Sequence, residues 1–125
     1  MLPTAKLRTI TLNVRDAAHS ARFYQDLFGL QIDRQDGDLI WLSTSADEKS
    51  SLLLLLHAWP NPEPTTYGIS LEFEVPSVDD AAQAAVAFGA TISREPISMD
   101  YGQREATILD PDGYPIWLVQ DLARS

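Results

Sequence analysis

From Thr9 to Val14 apolar and polar residues alternate, with Ile10, Leu12 and Val14 on one face and Thr9, Thr11 and Asn13 on the other. A period of two marks a strand whose sheet is packed on one side. Asp16 then offers a helix N-cap, and Ala17, Ala21, Tyr24 and Phe28 recur at helical spacing up to Gly29. A glycine there suits the left-handed residue that ends a helix. The same order returns further on. Leu71, Phe73 and Val75 alternate with Ser70, Glu72 and Glu74 along 69–75, and Ser77 with Asp80 forms an aspartate version of a capping box. An alanine-rich helix then covers 81–88 and ends at Gly89.

Both helices close on Phe-Gly-x-x-Ile, with Gly29 and Gly89 about half a chain length apart, so the chain reads as one duplicated unit. Three shorter strands follow each helix, at 31–34, 39–43 and 52–57, then at 92–94, 104–109 and 115–120. Asp36-Gly37, the polar run 45–51 and Asp110-Pro111-Asp112-Gly113 supply turns between them. Pro60, Pro62 and Pro64 cannot donate to a ladder and mark a connector. The expectation is an α+β fold of two β-α-β-β-β modules, 6–58 and 68–122, joined by a linker at 59–67 within one domain spanning 1–125.

Composition narrows the function classes. A chain of 125 residues fits a single domain with a real core. It has no cysteine, which removes disulfides, thiolate metal sites and a cysteine nucleophile. Nine basic against 18 acidic residues give a net charge of -9, which repels phosphate backbones and attracts cations. Neither nucleic acid nor a membrane is expected as a partner. The first 14 residues lack a signal-peptide core, and Leu52 to Leu56 is far too short to span a bilayer, so a cytoplasmic protein is expected.

Several segments together carry a family resemblance: Leu12-Asn13-Val14-Arg15-Asp16, Ala21-Arg22-Phe23-Tyr24, Leu27-Phe28-Gly29-Leu30, Tyr101-Gly102-Gln103-Arg104 and Asp110-Pro111-Asp112-Gly113-Tyr114-Pro115-Ile116. In this order the chain resembles the vicinal-oxygen-chelate superfamily of glyoxalases, bleomycin-resistance proteins and ring-cleaving dioxygenases. The resemblance implies paired modules whose curved sheets form a cup for ligand, and a homodimer that pairs modules within or between chains. It also implies a divalent metal held by side chains on four strands. Those positions fall here on Thr9, Leu55 (to within one residue), Ser70 and Trp117. Leucine and tryptophan cannot ligate, and lone hydroxyls are poor ligands. No metal and no cofactor are expected, and the chain is read as closest to the metal-free, bleomycin-resistance-like members.

Alternation places Thr11, Asn13, Glu72, Glu74 and Val119 on the cup face with Trp117, and His57 joins them if Leu55 is placed correctly. Trp117 is either a stacking wall or a plug. Glu72 and Glu74 are either counter-charges for a cation or the strand's wet face. His57 is a general base or merely hydrogen-bonded. Trp41, between Ile40 and Leu42, reads first as core, and Trp59 as a lid or a dimer anchor. Tyr101 and Arg104 border the cup in many relatives; Arg104 would hold an anion or pair with Glu72 or Glu105. The candidate ligand residues are therefore Trp117, Glu72, Ser70, His57, Trp41, Trp59, Tyr101 and Arg104. No catalytic triad is recognisable. Metal-independent binding of a small, cationic or aromatic molecule is the leading expectation, in the manner of antibiotic-sequestering relatives. The alternatives are a metal-dependent lyase, isomerase or oxygenase with displaced ligands, and a dimeric interaction module without catalysis.

Overall fold

Each half of the chain folds as a β-α-β-β-β unit in the computed structural model, which describes residues 4–44, 52–64 and 68–122. The first unit is β1 (Thr9–Val14), α1 (Ala17–Phe28), β2 (Ile32–Asp36), β3 (Leu39–Ser43) and β4 (Leu53–Ala58). The second is β5 (Leu71–Glu74), α2 (Val78–Ala87), β6 (Thr91–Ser98), β7 (Gln103–Leu109) and β8 (Pro115–Asp121). The predicted turn at 45–51 and residues 65–67 of the predicted connector lie outside the described residues.

The caps read from the sequence form as expected. Asp16 accepts from the backbone N–H of His19 at 3.0 Å, and Ser77 accepts from that of Asp80 at 3.2 Å. Gly29 takes φ 71 at the C-terminus of α1. Because Ser77 caps, α2 begins at Val78, ahead of the predicted 81. β6 runs well past the predicted 92–94 and carries Pro96. It is an edge strand, and register shifts between Arg94 and Ile97, so the proline has no ladder bond to break.

Both sheets are mixed and share one topology, β1-β4-β3-β2 and β5-β8-β7-β6, with the first and last strands of each module parallel. Each helix covers one face of its sheet. Leu12, Val14, Ile40, Leu42, Leu54 and Leu56 point to α1, and Ala106, Ile108, Ile116 and Leu118 point to α2, all within one continuous core. Among the described residues, no helix lies on the other face of either sheet. We call it the open face. Among the described residues no helix is long and apolar enough to cross a membrane.

What fixes one module against the other is polar at its centre. The Tyr24 hydroxyl of α1 donates to Asp110 Oδ2 at 2.6 Å, where Asp110 is only 3% exposed. Asp110 Oδ1 accepts from the N–H groups of Asp112 and Tyr114, both at 2.9 Å, which shapes the turn between β7 and β8. That turn reaches back to the first module. The Tyr114 hydroxyl donates to the Asn13 carbonyl at 2.7 Å, and the Arg15 N–H donates to Asp112 Oδ1 at 3.0 Å. Phe28 and Phe73 stack beside it with ring centroids 3.9 Å apart.

Burial raises the Asp110 carboxyl above its ordinary value, although the Tyr24 hydroxyl and two backbone N–H groups pull it down. A raised carboxyl in the native state binds its proton more tightly than the unfolded chain does. Its contribution to stability is therefore full at acid pH and is lost as pH rises through the folded value. In D110N, where the amide oxygen keeps the two backbone donors, chemical denaturation from pH 3 upward should show this slope disappear relative to wild type. Tyr24→Phe, which strips a donor from a buried acceptor, should cost about 1–3 kcal/mol, read as a lower urea midpoint at unchanged m.

Candidate functional site

The open faces are ordered by strand register into rows of side chains. In the first module Thr11, Leu55, Trp41 and Arg34 lie side by side across β1, β4, β3 and β2. The next row holds Asn13, His57 and Leu39. In the second module one row is Glu72, Trp117, Thr107 and Arg94, and the next is Glu74, Val119, Glu105 and Ile97. The uncertain register of the leucine-rich strand is thereby resolved: Leu55 opposes Thr11 and Trp41, while Leu54 and Leu56 are buried beneath α1.

Each open face pairs an arginine with an indole. The Arg34 guanidinium stands 4.8 Å from the Trp41 ring centroid, and that of Arg94 reaches across Thr107 to 5.9 Å from Trp117. Both distances fall within cation–π range. Both arginines follow a helix end in the repeated pattern Phe-Gly-x-x-Ile-x-Arg, and both sit where β2 or β6 slips register against its neighbour. The repeat was plain in the sequence, and extending it by two residues would have found them.

The predicted site residues divide. Trp117, His57 and Trp41 are half-buried on the open faces, with Glu72 exposed at the end of the Trp117 row. Trp41 is not core, as its apolar neighbours suggested: Ile40 and Leu42 take the core face, and alternation sends the indole the other way. Trp59 is 48% exposed and packs edge-on against His57, at 5.5 Å between ring centroids. Ser70 and Glu72 border a cavity of about 520 Å³ that runs along the free edge of β5, with Ile10, Phe28, Leu54 and Phe73.

Arg104 lies elsewhere. It shares the helix-side face of β7 with Ala106 and Ile108, and binds Asp79 of α2 through two bonds of 2.6 and 2.9 Å and Ser98 through one of 3.0 Å. Its partner is thus Asp79, and neither Glu72 nor Glu105. The bond to Arg104 lowers the Asp79 carboxyl below its ordinary value. The adjacent Glu105 points to the open face, where the Tyr101 hydroxyl donates to its Oε2 at 2.7 Å. That bond raises the Tyr101 phenol.

The four positions that the resemblance assigns to the superfamily's metal ligands, Thr9, Leu55, Ser70 and Trp117, present two hydroxyls, a leucine and an indole, a set that does not fit a divalent cation. Among the described residues no three His, Asp or Glu side chains converge as a metal cluster.

Duplicated β-α-β-β-β modules with mixed four-stranded sheets define a glyoxalase-like α+β fold. The chain belongs to the Glyoxalase/Bleomycin resistance protein/Dioxygenase superfamily, whose family model matches residues 6–118. Among solved structures it is similar to a glyoxalase/bleomycin resistance protein/dioxygenase family enzyme from Burkholderia phytofirmans PsJN. The two share 24% identity with a TM-score of 0.79, over 94% of this chain and 100% of the other. It is also similar to a glyoxalase-related enzyme from Fulvimarina pelagi, at 19% identity and a TM-score of 0.76, over 94% and 89% of the two chains. A protein of unknown function from Agrobacterium tumefaciens str. C58 matches at 24% identity and a TM-score of 0.70, over 97% and 98%. At these identities the likeness is one of fold. No curated protein matches the chain.

The opposite orientations of the two arginines on the second module are testable by tryptophan fluorescence. Arg94→Met should change the indole emission, because it removes a cation from above Trp117. Arg104→Met should leave the emission unchanged while lowering the melting midpoint through loss of the Asp79 bond. A change of emission on substituting Arg104 would contradict its placement.

Proposed function

We propose that this protein binds a small aromatic cation on the open face of its second module, without a divalent metal. The observation that carries the reading is the setting of Trp117. A half-buried indole stands at the strand position that the resemblance assigns to a metal carboxylate, with Glu72 on one side and Thr107 on the other. Small-molecule sites commonly combine aromatic area with a few placed polar groups in this way.

Charge supports the same ligand class. An indole face attracts a cation by roughly 0.5–1 kcal/mol when exposed and about 2 kcal/mol when desolvated. The protein's own Arg94 already samples that attraction at 5.9 Å, near the outer limit of its range, and stands in for the cation of a ligand. The net charge of -9 favours approach of cations at long range. Leu55 and Trp117, at two of the four metal positions, support a site that works without an ion.

Thermal melts with benzamidine and other aromatic cations, with and without chelator, test this directly. A ligand at a hundredfold excess over its dissociation constant should stabilise the protein by about 2.7 kcal/mol, and chelator should change nothing. Trp117→Ala should abolish the stabilisation. Arg94→Ala, which vacates the ring, should raise the affinity. A chelator-sensitive melt, or melts indifferent to every aromatic cation, would refute the proposal.

A further inference from the structure

We infer that the free edge of β5 takes up an extended peptide as an added strand, with basic and apolar side chains alternating along it. β5 pairs with β8 on one side only. Successive residues of a strand aim their N–H and C=O groups to opposite sides, and the Val75 N–H donates to the Val119 carbonyl of β8. Leu71 and Phe73 share that parity. Ser70, Glu72 and Glu74 therefore turn their backbone groups away from β8, and among the described residues no hydrogen bond reaches those groups. The cavity of about 520 Å³ follows this edge. Ser70 to Glu74 line it without a gap, as a backbone edge does and one face of a sheet does not.

The corresponding edge of β1 is already claimed. Arg8 and Val14 accept from β4 and its end, so the backbone of Asn13 turns the other way by the same parity. The second module takes it there: the Tyr114 hydroxyl donates to the Asn13 carbonyl, and Asp112 accepts the Arg15 N–H. The duplicated register puts Glu74 at the place of Asn13, Pro76 at that of Arg15 and Leu52 at that of Tyr114. Leucine has no hydroxyl to donate and proline no N–H. The grip that closes the edge of β1 cannot form on β5.

Backbone and charge together choose the occupant. An unpaired edge offers donors and acceptors by turns, which another extended backbone answers. Glu72 and Glu74 stand on its exposed side, and among the described residues no Lys, Arg or His lines the cavity. Opposite charges across a strand pair stabilise it and like charges do not, so the side chains facing these glutamates are basic. A second copy offering its own β5 would set glutamate against glutamate. The charges that keep such an edge from self-pairing thus admit a basic strand. The residues between the basic ones turn to the helix side, where Ile10, Phe28, Leu54 and Phe73 supply an apolar lining.

The inference does not rest on the open-face reading, and its failure would leave that reading untouched. The test titrates the protein with a blocked pentapeptide of alternating lysine and valine. Backbone amide exchange reports the edge, and the Trp117 indole resonance reports the open face. At a tenfold excess of peptide over its dissociation constant, the Glu72 and Glu74 amides are expected to exchange about tenfold more slowly. The Phe73 amide, directed at β8, should not change. A glutamate–valine peptide should bind about tenfold more weakly, and the charge reversal E72K with E74K should invert that preference. A lysine–valine peptide methylated on every backbone nitrogen should lose the protection. Glu72 and Glu74 amides left unprotected, protection that survives methylation, or equal binding of the two charge types would each overturn the inference. So would a shift of Trp117 alone, which would put the peptide on the open face. Protection that grows with protein concentration alone would assign the edge to a second copy, and overturn it too. The wild-type amides give their answer even if the double variant does not fold.

Discussion

The hydrogen bond from Tyr24 to Asp110 is the constraint on which the arrangement of the two modules depends. It joins the helix of one module to the turn of the other inside a continuous apolar core, where burying a carboxylate is costly unless its oxygens are occupied. Three donors occupy them, from Tyr24, Asp112 and Tyr114. The same turn then uses the Tyr114 hydroxyl and Asp112 to grip the backbone at the end of β1 and just after it, respectively. A wholly apolar contact would bury comparable area but would leave the modules freer to slide. Directional bonds to one carboxylate fix the relative position of β1 and β5, and with it the clefts along their free edges.

Given that clasp, the division between core and open face follows from the pleat. Arg104 and Glu105 show how sharp the division is. They are adjacent in β7, yet one is bound to α2 and the other closes under Tyr101 on the far side of the sheet. Each charged group meets a partner suited to its side: a partly exposed aspartate for the arginine, a phenol for the buried glutamate. Interchanging them would put a carboxylate beside Asp79 and a guanidinium beneath Tyr101, so the order of these two residues is fixed by the fold as firmly as any core position.

The sequence disclosed most of the architecture because its strands alternate and its helices are capped. It disclosed less where alternation was hidden. In Leu52 to Leu56 every residue is apolar, so either parity would bury leucines, and only the ladder to β1 and β3 settles which of them face the helix. Trp41 looked like core for the same reason, since its flanking residues are apolar whichever way it points. Arg104 was drawn toward the cup by its place in a family motif, whereas Ala106 and Ile108, two and four residues on, already carried the parity that sends it to α2. Glu105 was not legible as a buried residue. Its burial and its bond from the Tyr101 hydroxyl are tertiary features that no period of two announces. Arg34 and Arg94 were legible, but only as an extension of the repeat.

The superfamily's scaffold explains how such a site can change its chemistry without changing its fold. The positions that face the cup are alternate residues on strands whose other faces build the core, so a ligand-side residue can be replaced without disturbing the packing beneath it. In β8 Trp117 is flanked by Ile116 and Leu118, both fully buried, and in β4 Leu55 is flanked by Leu54 and Leu56 in the same way. Substituting an indole for a carboxylate at such a position removes a metal ligand and adds a cation-attracting ring at little cost to the core. Under the proposed binding reading, the negative charge that meets a cationic ligand lies off to the side, on Glu72 at the strand edge. On that reading the charge that attracts the ligand sits at the rim of the site and the aromatic surface at its centre.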